Sequence, residues 1–418
     1  MSHPAETADG FPGQGHARYA LTLLLAVNLL NYIDRQVLYA VFPLIKSDLN
    51  LSDTALGLLG SAFMVCYMVS APLFGWLGDR WSRIRLAATG LAVWSIATAL
   101  AGLAPGYRTL LVARTAVGIG EASFGTVSPG LLADYFPKER RGRILALFYL
   151  AIPVGSALGY LLGGLIGHHL GWHASFLMVG APGLLLVLPL WLLRGPLRGA
   201  GDIPDGNPEN TEGGYLSLFR NRSFVTNTLA MAAMTFALGG LAQWMPTFLF
   251  RMHGLDVARG NTLFGAITVL TGITGTLAGG WLGDRLQQKS GKGYLLLSGW
   301  GFILGTPFAA YAILAPSLPH CLAAMFLAEF FLFLNTGPLN TVIVNVTPPP
   351  IRAMAFAVNI FFIHALGDAI SPTILGWLSD LWDLRSALLT TPLAILAAAF
   401  FSFVCGRTIE ADVARVGE

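Results

Sequence analysis

The sequence predicts an all-α membrane protein with twelve transmembrane helices in two pseudo-symmetric six-helix halves. Three observations predict it. Of 418 residues, 55% are hydrophobic and only 11% are charged; a soluble domain carries about 25% charged residues, so this chain could not cover a water-facing surface. Apolar runs of roughly 20 residues recur along the whole chain, the length that crosses ~30 Å of hydrocarbon at ~1.5 Å per residue. The second half also repeats motifs of the first. Lipid offers the backbone no hydrogen-bond partner, so each apolar run must be a helix. The short alternating segments of a β-barrel are absent.

The elements follow in order. The N-terminal tail, 1–18, is polar and holds Pro4 and Gly10, without the charged start, short apolar stretch and small-residue cleavage site of a signal peptide. The first half, 19–194, contains spans at 19–45, 54–78, 84–103, 108–133, 142–168 and 174–193. The first of these carries Asn31, Asp34, Arg35 and Pro43, the second runs into Gly-Trp-Leu-Gly-Asp-Arg, and the fourth carries Arg114 and Glu121. A linker rich in Gly, Pro and Asp covers 195–222. The second half, 223–406, contains spans at 223–250, 259–283, 293–314, 318–345, 353–379 and 385–406, and a tail covers 407–418. Cys66, Cys321 and Cys405 all fall inside spans. No disulfide framework, metal site or cofactor is therefore expected.

Lys and Arg fix the expected orientation. Alternate connections and the two termini hold 18 of the 25 basic residues, so both termini should be cytoplasmic and the number of spans even. The halves repeat at a nearly constant offset. Gly75–Arg80 recurs as Gly280–Arg285, an offset of 205; Ser-Ala-Leu-Gly-Tyr at 156–160 matches His-Ala-Leu-Gly-Asp at 364–368, an offset of 208; and Glu121 matches Glu329, again 208. Such duplication is the usual architecture of secondary transporters.

Ionisable groups in mid-membrane are costly unless paired or hydrated, so each is a functional candidate. They are Asp34 and Arg35 in span 1, Arg114 and Glu121 in span 4, Glu329 in span 10, and His364 with Asp368 in span 11. Asp34 and Arg35 are adjacent and point about 100° apart, whereas Asn31 shares a face with Arg35. Burial disfavours an ionised carboxylate and a nearby guanidinium favours it, so such a group can exchange a proton for a change of pairing. With Pro43 and Pro246 aligned, Ala237 and Leu238 stand opposite Asp34 and Arg35, which concentrates charge in the first half. Glu329 lies in an aromatic stretch and reads as a candidate neutral acid, hydrogen-bonded to a neighbouring helix. His364 and Asp368 sit one turn apart on one face.

The stretch 75–85 resembles the loop between helices 2 and 3 of the major facilitator superfamily. Gly75, Leu77, Asp79, Arg80 and Arg83 match its pattern, while Ser82 replaces the usual Gly. Arg114 with Gly118 and Gly120 is similar to the helix 4 motif. The helix 5 pattern is only partly met: Gly155, Gly159, Gly163 and Gly164 are present, but Pro153 lies earlier. Asn-Tyr-Ile-Asp-Arg-Gln-Val-Leu at 31–38 resembles the helix 1 signature of the Spinster group, and Glu121 and the segment 171–176 agree with it. The resemblance covers about 18–406.

It implies alternating access around a cavity lined by helices 1 and 4. It also implies a gating motif of Gly75, Asp79, Arg80 and Arg83 with its repeat Asp284 and Arg285, in which Asp79 holds the inward side shut. The expected function is proton-coupled secondary transport of a lysolipid or sphingoid-like amphiphile. Asp34, Arg35, Glu121, Arg114 and Asn31 would couple protons and meet substrate, and Glu329, His364 and Asp368 stand as secondary candidates. The expected setting is a multi-pass protein of the inner cell membrane, a functional monomer whose partners are lipid, protons and substrate. An exporter of apolar drugs or organic acids is the alternative. A membrane-embedded lipid enzyme is disfavoured, because no Ser-His-Asp order, His-Glu-x-x-His or paired histidines occur near the spans. Nucleic acid is excluded by the lack of a basic patch with interleaved aromatics.

Overall fold

A computed structural model describes residues 13–136, 138–196, 215–348 and 351–417. Its helices are α1 (Gln14–Ala40), α2 (Phe42–Leu49), α3 (Asp53–Arg80), α4 (Arg83–Ala101), α5 (Tyr107–Tyr135), α6 (Lys138–Tyr149), α7 (Ala151–Leu170) and α8 (Trp172–Trp191). There follow α9 (Tyr215–Arg220), α10 (Arg222–His253), α11 (Val257–Lys289), α12 (Gly293–Leu314), α13 (Leu318–Phe333), α14 (Thr336–Asn345) and α15 (Arg352–Ile363). A π-helical turn at His364–Asp368 precedes α16 (Ser371–Leu381), α17 (Leu384–Leu388), α18 (Thr391–Cys405) and α19 (Ile409–Gly417).

Several expected spans are therefore pairs of helices, and prolines explain where they split. Proline lacks an N–H and crowds the carbonyl four residues earlier, so a break falls about one turn before it. Pro43 follows the end of α1, Pro153 the end of α6, Pro338 the end of α13, Pro372 the π turn and Pro392 the end of α17. Pro246, the repeat partner of Pro43, is instead carried inside the unbroken α10. The tail from 407 is largely helical as α19, and the linker 195–222 contains α9, with 197–214 outside the described residues.

Among the described residues, ten helical segments are long and apolar enough to cross a membrane. The two remaining long helices, α1 and α5, have 27 and 29 residues. They are the ones that carry the four charges described below, and those charges lower their apolar content. Twelve crossings result, in agreement with the expected fold. The surface pattern is inverted relative to a soluble protein: Leu185, Leu192, Leu277 and Phe400 are 76%, 68%, 70% and 62% exposed, while Asp34, Arg114 and Glu121 are buried. Apolar groups outside and charges inside fit lipid as the solvent.

The chain forms two compact units. The first comprises Met1–Leu51, Ala62–Asn207 and Asp256–Thr262; the second comprises Ser52–Ser61, Pro208–Leu255 and Leu263–Glu418. In the first, α1 packs on α7 along a glycine stripe. A Cβ on Gly159 would stand 2.5 Å from the Ile33 carbonyl oxygen, and one on Gly155 2.7 Å from Tyr32 Cβ. Only glycine lets the backbone that carries Asp34 and Arg35 approach so closely. In the second unit, Asn221 caps α10 by accepting from Phe224 N at 2.9 Å, and Asp383 caps α17. The Ser386 backbone and hydroxyl both donate to Asp383 and hold its carboxyl below the usual range.

Candidate functional site

Four charges meet inside the first unit. Arg35 Nε donates to Glu121 Oε2 at 2.7 Å. Arg114 Nη1 lies 3.5 Å from Asp34 Oδ1, and the Thr98 hydroxyl donates to Asp34 Oδ2. The cluster thus spans α1, α4 and α5. It is divided into two pairs, because adjacent residues on α1 face different directions. Asp34 turns to Arg114 and Thr98, and Arg35 turns to Glu121. Arg114 and Glu121, two turns apart on α5, serve different partners. Asn31 is buried one turn before Arg35, but its amide nitrogen bonds none of the four charges.

The pairs differ in surroundings. Arg114 is fully buried and lies 5.1 Å from the centroid of the Phe63 ring. Arg35 alone keeps appreciable access, with 16% of its side chain exposed. Its guanidinium stands 5.1, 5.2 and 4.8 Å from the rings of Tyr32, Phe63 and Tyr67. Aromatic faces attract a cation by their quadrupole, so the three rings stabilise Arg35 beside Glu121. The sequence reading had not found Thr98, Phe63 or Tyr67; no spacing relates them to span 1, and only packing brings them there.

Formal charge makes the arrangement chemically useful. Two arginines and two carboxylates sum to zero, and protonating either carboxylate leaves +1. A proton therefore converts the cluster from neutral to anion-attracting. Two buried ion pairs survive desolvation only while every charge keeps its partner or an equivalent.

The second unit contains other candidates. Glu329 is buried, with Thr268 and Thr271 of α11 donating to its two oxygens at 3.3 and 3.0 Å. It thus bonds hydroxyls of a neighbouring helix, as the sequence suggested. His364 Nδ1 lies 2.8 Å from Asp368 Oδ1 in the π turn, where Gly367 leaves helical geometry. Such turns concentrate at functional sites. A further cluster was not foreseen. Asp53, at the start of α3, accepts from Arg251 Nη1 and Nη2 at 2.6 and 2.7 Å and from Ser379 at 2.6 Å. Asp380 meanwhile accepts from the backbone N–H of Asp53 and Thr54 at 2.8 and 2.7 Å. Acidic residues at span ends read as loop charges in the sequence, which hid this arrangement.

The repeated motif keeps its geometry in both places. Arg80 lies 4.2 Å from the Trp76 ring and Arg285 3.8 Å from the Trp281 ring, each one turn back on its own helix. Arg83 pairs with Asp134 at 2.8 Å, and Asp284 accepts from the Tyr294 hydroxyl at 2.7 Å. Gly75 is not crowded, since an added Cβ would meet only a Thr126 methyl at 3.7 Å. The Asp79 side chain lies outside the described residues.

Comparison with known proteins gives four further findings. The family model described as Major Facilitator Superfamily matches residues 24–372. The human protein named Protein spinster homolog 1 is 36% identical over 388 residues, covering 88% of this chain and 74% of that protein. Protein spinster of Drosophila melanogaster is 33% identical over 373 residues, covering 87% of this chain and 62% of that protein. Among solved structures, a bacterial homolog of the human lysosomal transporter spinster, in an inward-facing and unoccupied conformation, is 25% identical. It superposes with a TM-score of 0.87 over 96% of this chain and 99% of that one.

Proposed function

Since the chain belongs to the major facilitator superfamily, and within it to the spinster-type transporters, we propose that it couples proton movement to the transport of a single-chain amphiphile with an anionic head. The observation that carries this reading is the charge-neutral cluster in the first unit, in which Arg35 alone is both caged by aromatic rings and accessible. Protonation of Asp34 or Glu121 frees one positive charge. Arg35, the accessible cation, then meets a phosphate or carboxylate head, whose partner charge restores neutrality. Tyr32, Phe63 and Tyr67 offer apolar faces beside that head, which suits the start of an acyl or sphingoid chain. The protein acts as a monomer in the inner cell membrane with both termini cytoplasmic. Glu329 and the His364–Asp368 pair serve the second unit, and the motif residues Asp79, Arg80, Arg83, Asp284 and Arg285 control closure.

The test uses proteoliposomes and a panel of lysophospholipids and sphingoid phosphates, with and without a pH gradient. Asp34→Asn mimics one protonated carboxyl. It should keep exchange between equal pools and lose uphill uptake, whereas Arg35→Ala should lose both. Concentrative uptake by Asp34→Asn with an unchanged pH profile would refute coupling at this cluster. Transport of apolar drugs at the same rate as anionic amphiphiles would instead support the alternative of a drug exporter. Reporter fusions after residues 85, 143, 290 and 410 should all read as cytoplasmic.

A further inference from the structure

In the second unit a hollow lies beside the start of α10 and the end of α18. It has a volume of about 290 Å³ and is lined by Phe219, Arg222, Val225, Val404 and Arg407, with Thr226 and Thr408 at its edge. Its frame is fixed by bonds on every side. Asn221 caps the start of α10, and its amide donates to the Val346 carbonyl at 2.8 Å. The Ser223 backbone N–H donates to Asp412 of α19 at 3.0 Å, and the Ser223 hydroxyl lies 2.7 Å from that of Thr408. Thr226 donates to the Arg222 carbonyl at 2.7 Å, and the Phe219 ring packs edge-on against Phe362 at 5.7 Å.

Within this frame the polar groups have partners, but the two guanidiniums do not. Among the described residues neither Arg222 nor Arg407 has a carboxylate within 4.0 Å. Two other hollows of this unit each include a carboxylate in their lining. In one, Asp412 engages Arg415 at 3.1 Å, and in the other Glu410 engages Lys292 at 3.5 Å. Two free arginines above valine and phenylalanine walls match a phosphate that carries an acyl chain. The side concerned is the one that holds 18 of the 25 Lys and Arg, the side on which anionic lipid is attracted by basic clusters next to spans. Planar guanidiniums suit phosphate oxygens in particular.

We propose that this hollow binds the headgroup phosphate of an anionic phospholipid of the surrounding bilayer, with Arg222 and Arg407 as its two cationic contacts and Phe219, Val225 and Val404 against the upper chain. The bound lipid would brace the ends of α9, α10 and α18.

The experiment releases the full chain from nanodiscs of equal phosphatidylglycerol and phosphatidylcholine and counts retained lipid by native mass spectrometry. The wild type should retain phosphatidylglycerol selectively. Arg222→Gln with Arg407→Gln should weaken retention about 30-fold, roughly five-fold for each basic residue near a lipid surface. Val404→Trp fills the hollow, keeps both charges and should give a similar loss, which keeps the test open if the double variant folds poorly. Lys289→Gln with Arg143→Gln, basic residues elsewhere on the same side, should leave retention unchanged. Equal loss in that control pair, or full retention in Val404→Trp, would overturn the site. Displacement of phosphatidylglycerol by equimolar inorganic phosphate would identify a free-anion site and overturn the lipid assignment.

Discussion

Glu121→Gln should make anion binding tighter and insensitive to pH. The substitution preserves the shape of the side chain, so an amide oxygen can still accept from Arg35 Nε, now 2.7 Å from Glu121 Oε2. What disappears is one negative charge from a cluster whose formal sum is zero. An anionic head about 4 Å from Arg35 on its accessible side would stand roughly 7 Å from Glu121. At an effective dielectric of about 20 their repulsion is about 2 kcal/mol, or ~30-fold in affinity. The wild type should therefore bind an anionic lysophospholipid about 30-fold more weakly at pH 8 than at an acidic pH that protonates the cluster. The variant should bind at the acidic-pH affinity throughout. Equilibrium binding of a labelled lysophosphatidylglycerol in detergent, followed from pH 5 to 8, measures both. A variant whose binding falls with pH as the wild type's does would show that Glu121 is not the titrating partner of Arg35. A variant that no longer binds would show that the carboxylate positions Arg35 rather than competing with the substrate.

The other expectations follow from the same contacts. Asp34→Leu leaves Arg114 fully buried and uncompensated and should cost about 3–5 kcal/mol, whereas Asp34→Leu with Arg114→Leu should recover much of that in detergent thermal unfolding; a double variant worse than the single would refute the pairing. Asp53→Asn breaks a bidentate contact to Arg251, whose side chain is 22% exposed, so the loss should be about 2–3 kcal/mol after allowance for solvent. Ser379→Ala should lose only about 1 kcal/mol, and equal unfolding midpoints for these two variants would show that the Asp53 charge is unimportant. Gly159→Ala places a methyl where only 2.5 Å is available and should cost about 1–3 kcal/mol through overpacking. It should also slow uptake by shifting α1, and a variant with wild-type stability and flux would show that the α1–α7 contact can relax.

The sequence by itself determined the class of protein and which ionisable residues lie within its spans. Run length and composition gave twelve crossings because lipid forces every apolar stretch of that length into a helix. The repeats gave two halves, and the mid-membrane charges gave Asp34, Arg35, Arg114 and Glu121, since an ionised group inside lipid stands out against its neighbours. The long helices α1 and α5, which fall short of the apolar content of the other ten crossing segments, carry this cluster, so the charges that weaken a span signal also mark the cluster. Local chemistry was legible as well: the His364–Asp368 contact joins residues one turn apart. Tertiary structure alone decided who pairs with whom. Asp34 faces Thr98 and Arg114, and Arg35 faces Glu121 and three rings, because α1 packs against α4 and α5 in one particular rotation. No linear spacing encodes that rotation. The same holds for Asp53, which reads as a loop acid until α3 begins beside Arg251, Ser379 and Asp380. Contacts between residues some 200–330 positions apart depend on how helices lie against one another, and a single chain of letters contains no direct record of it.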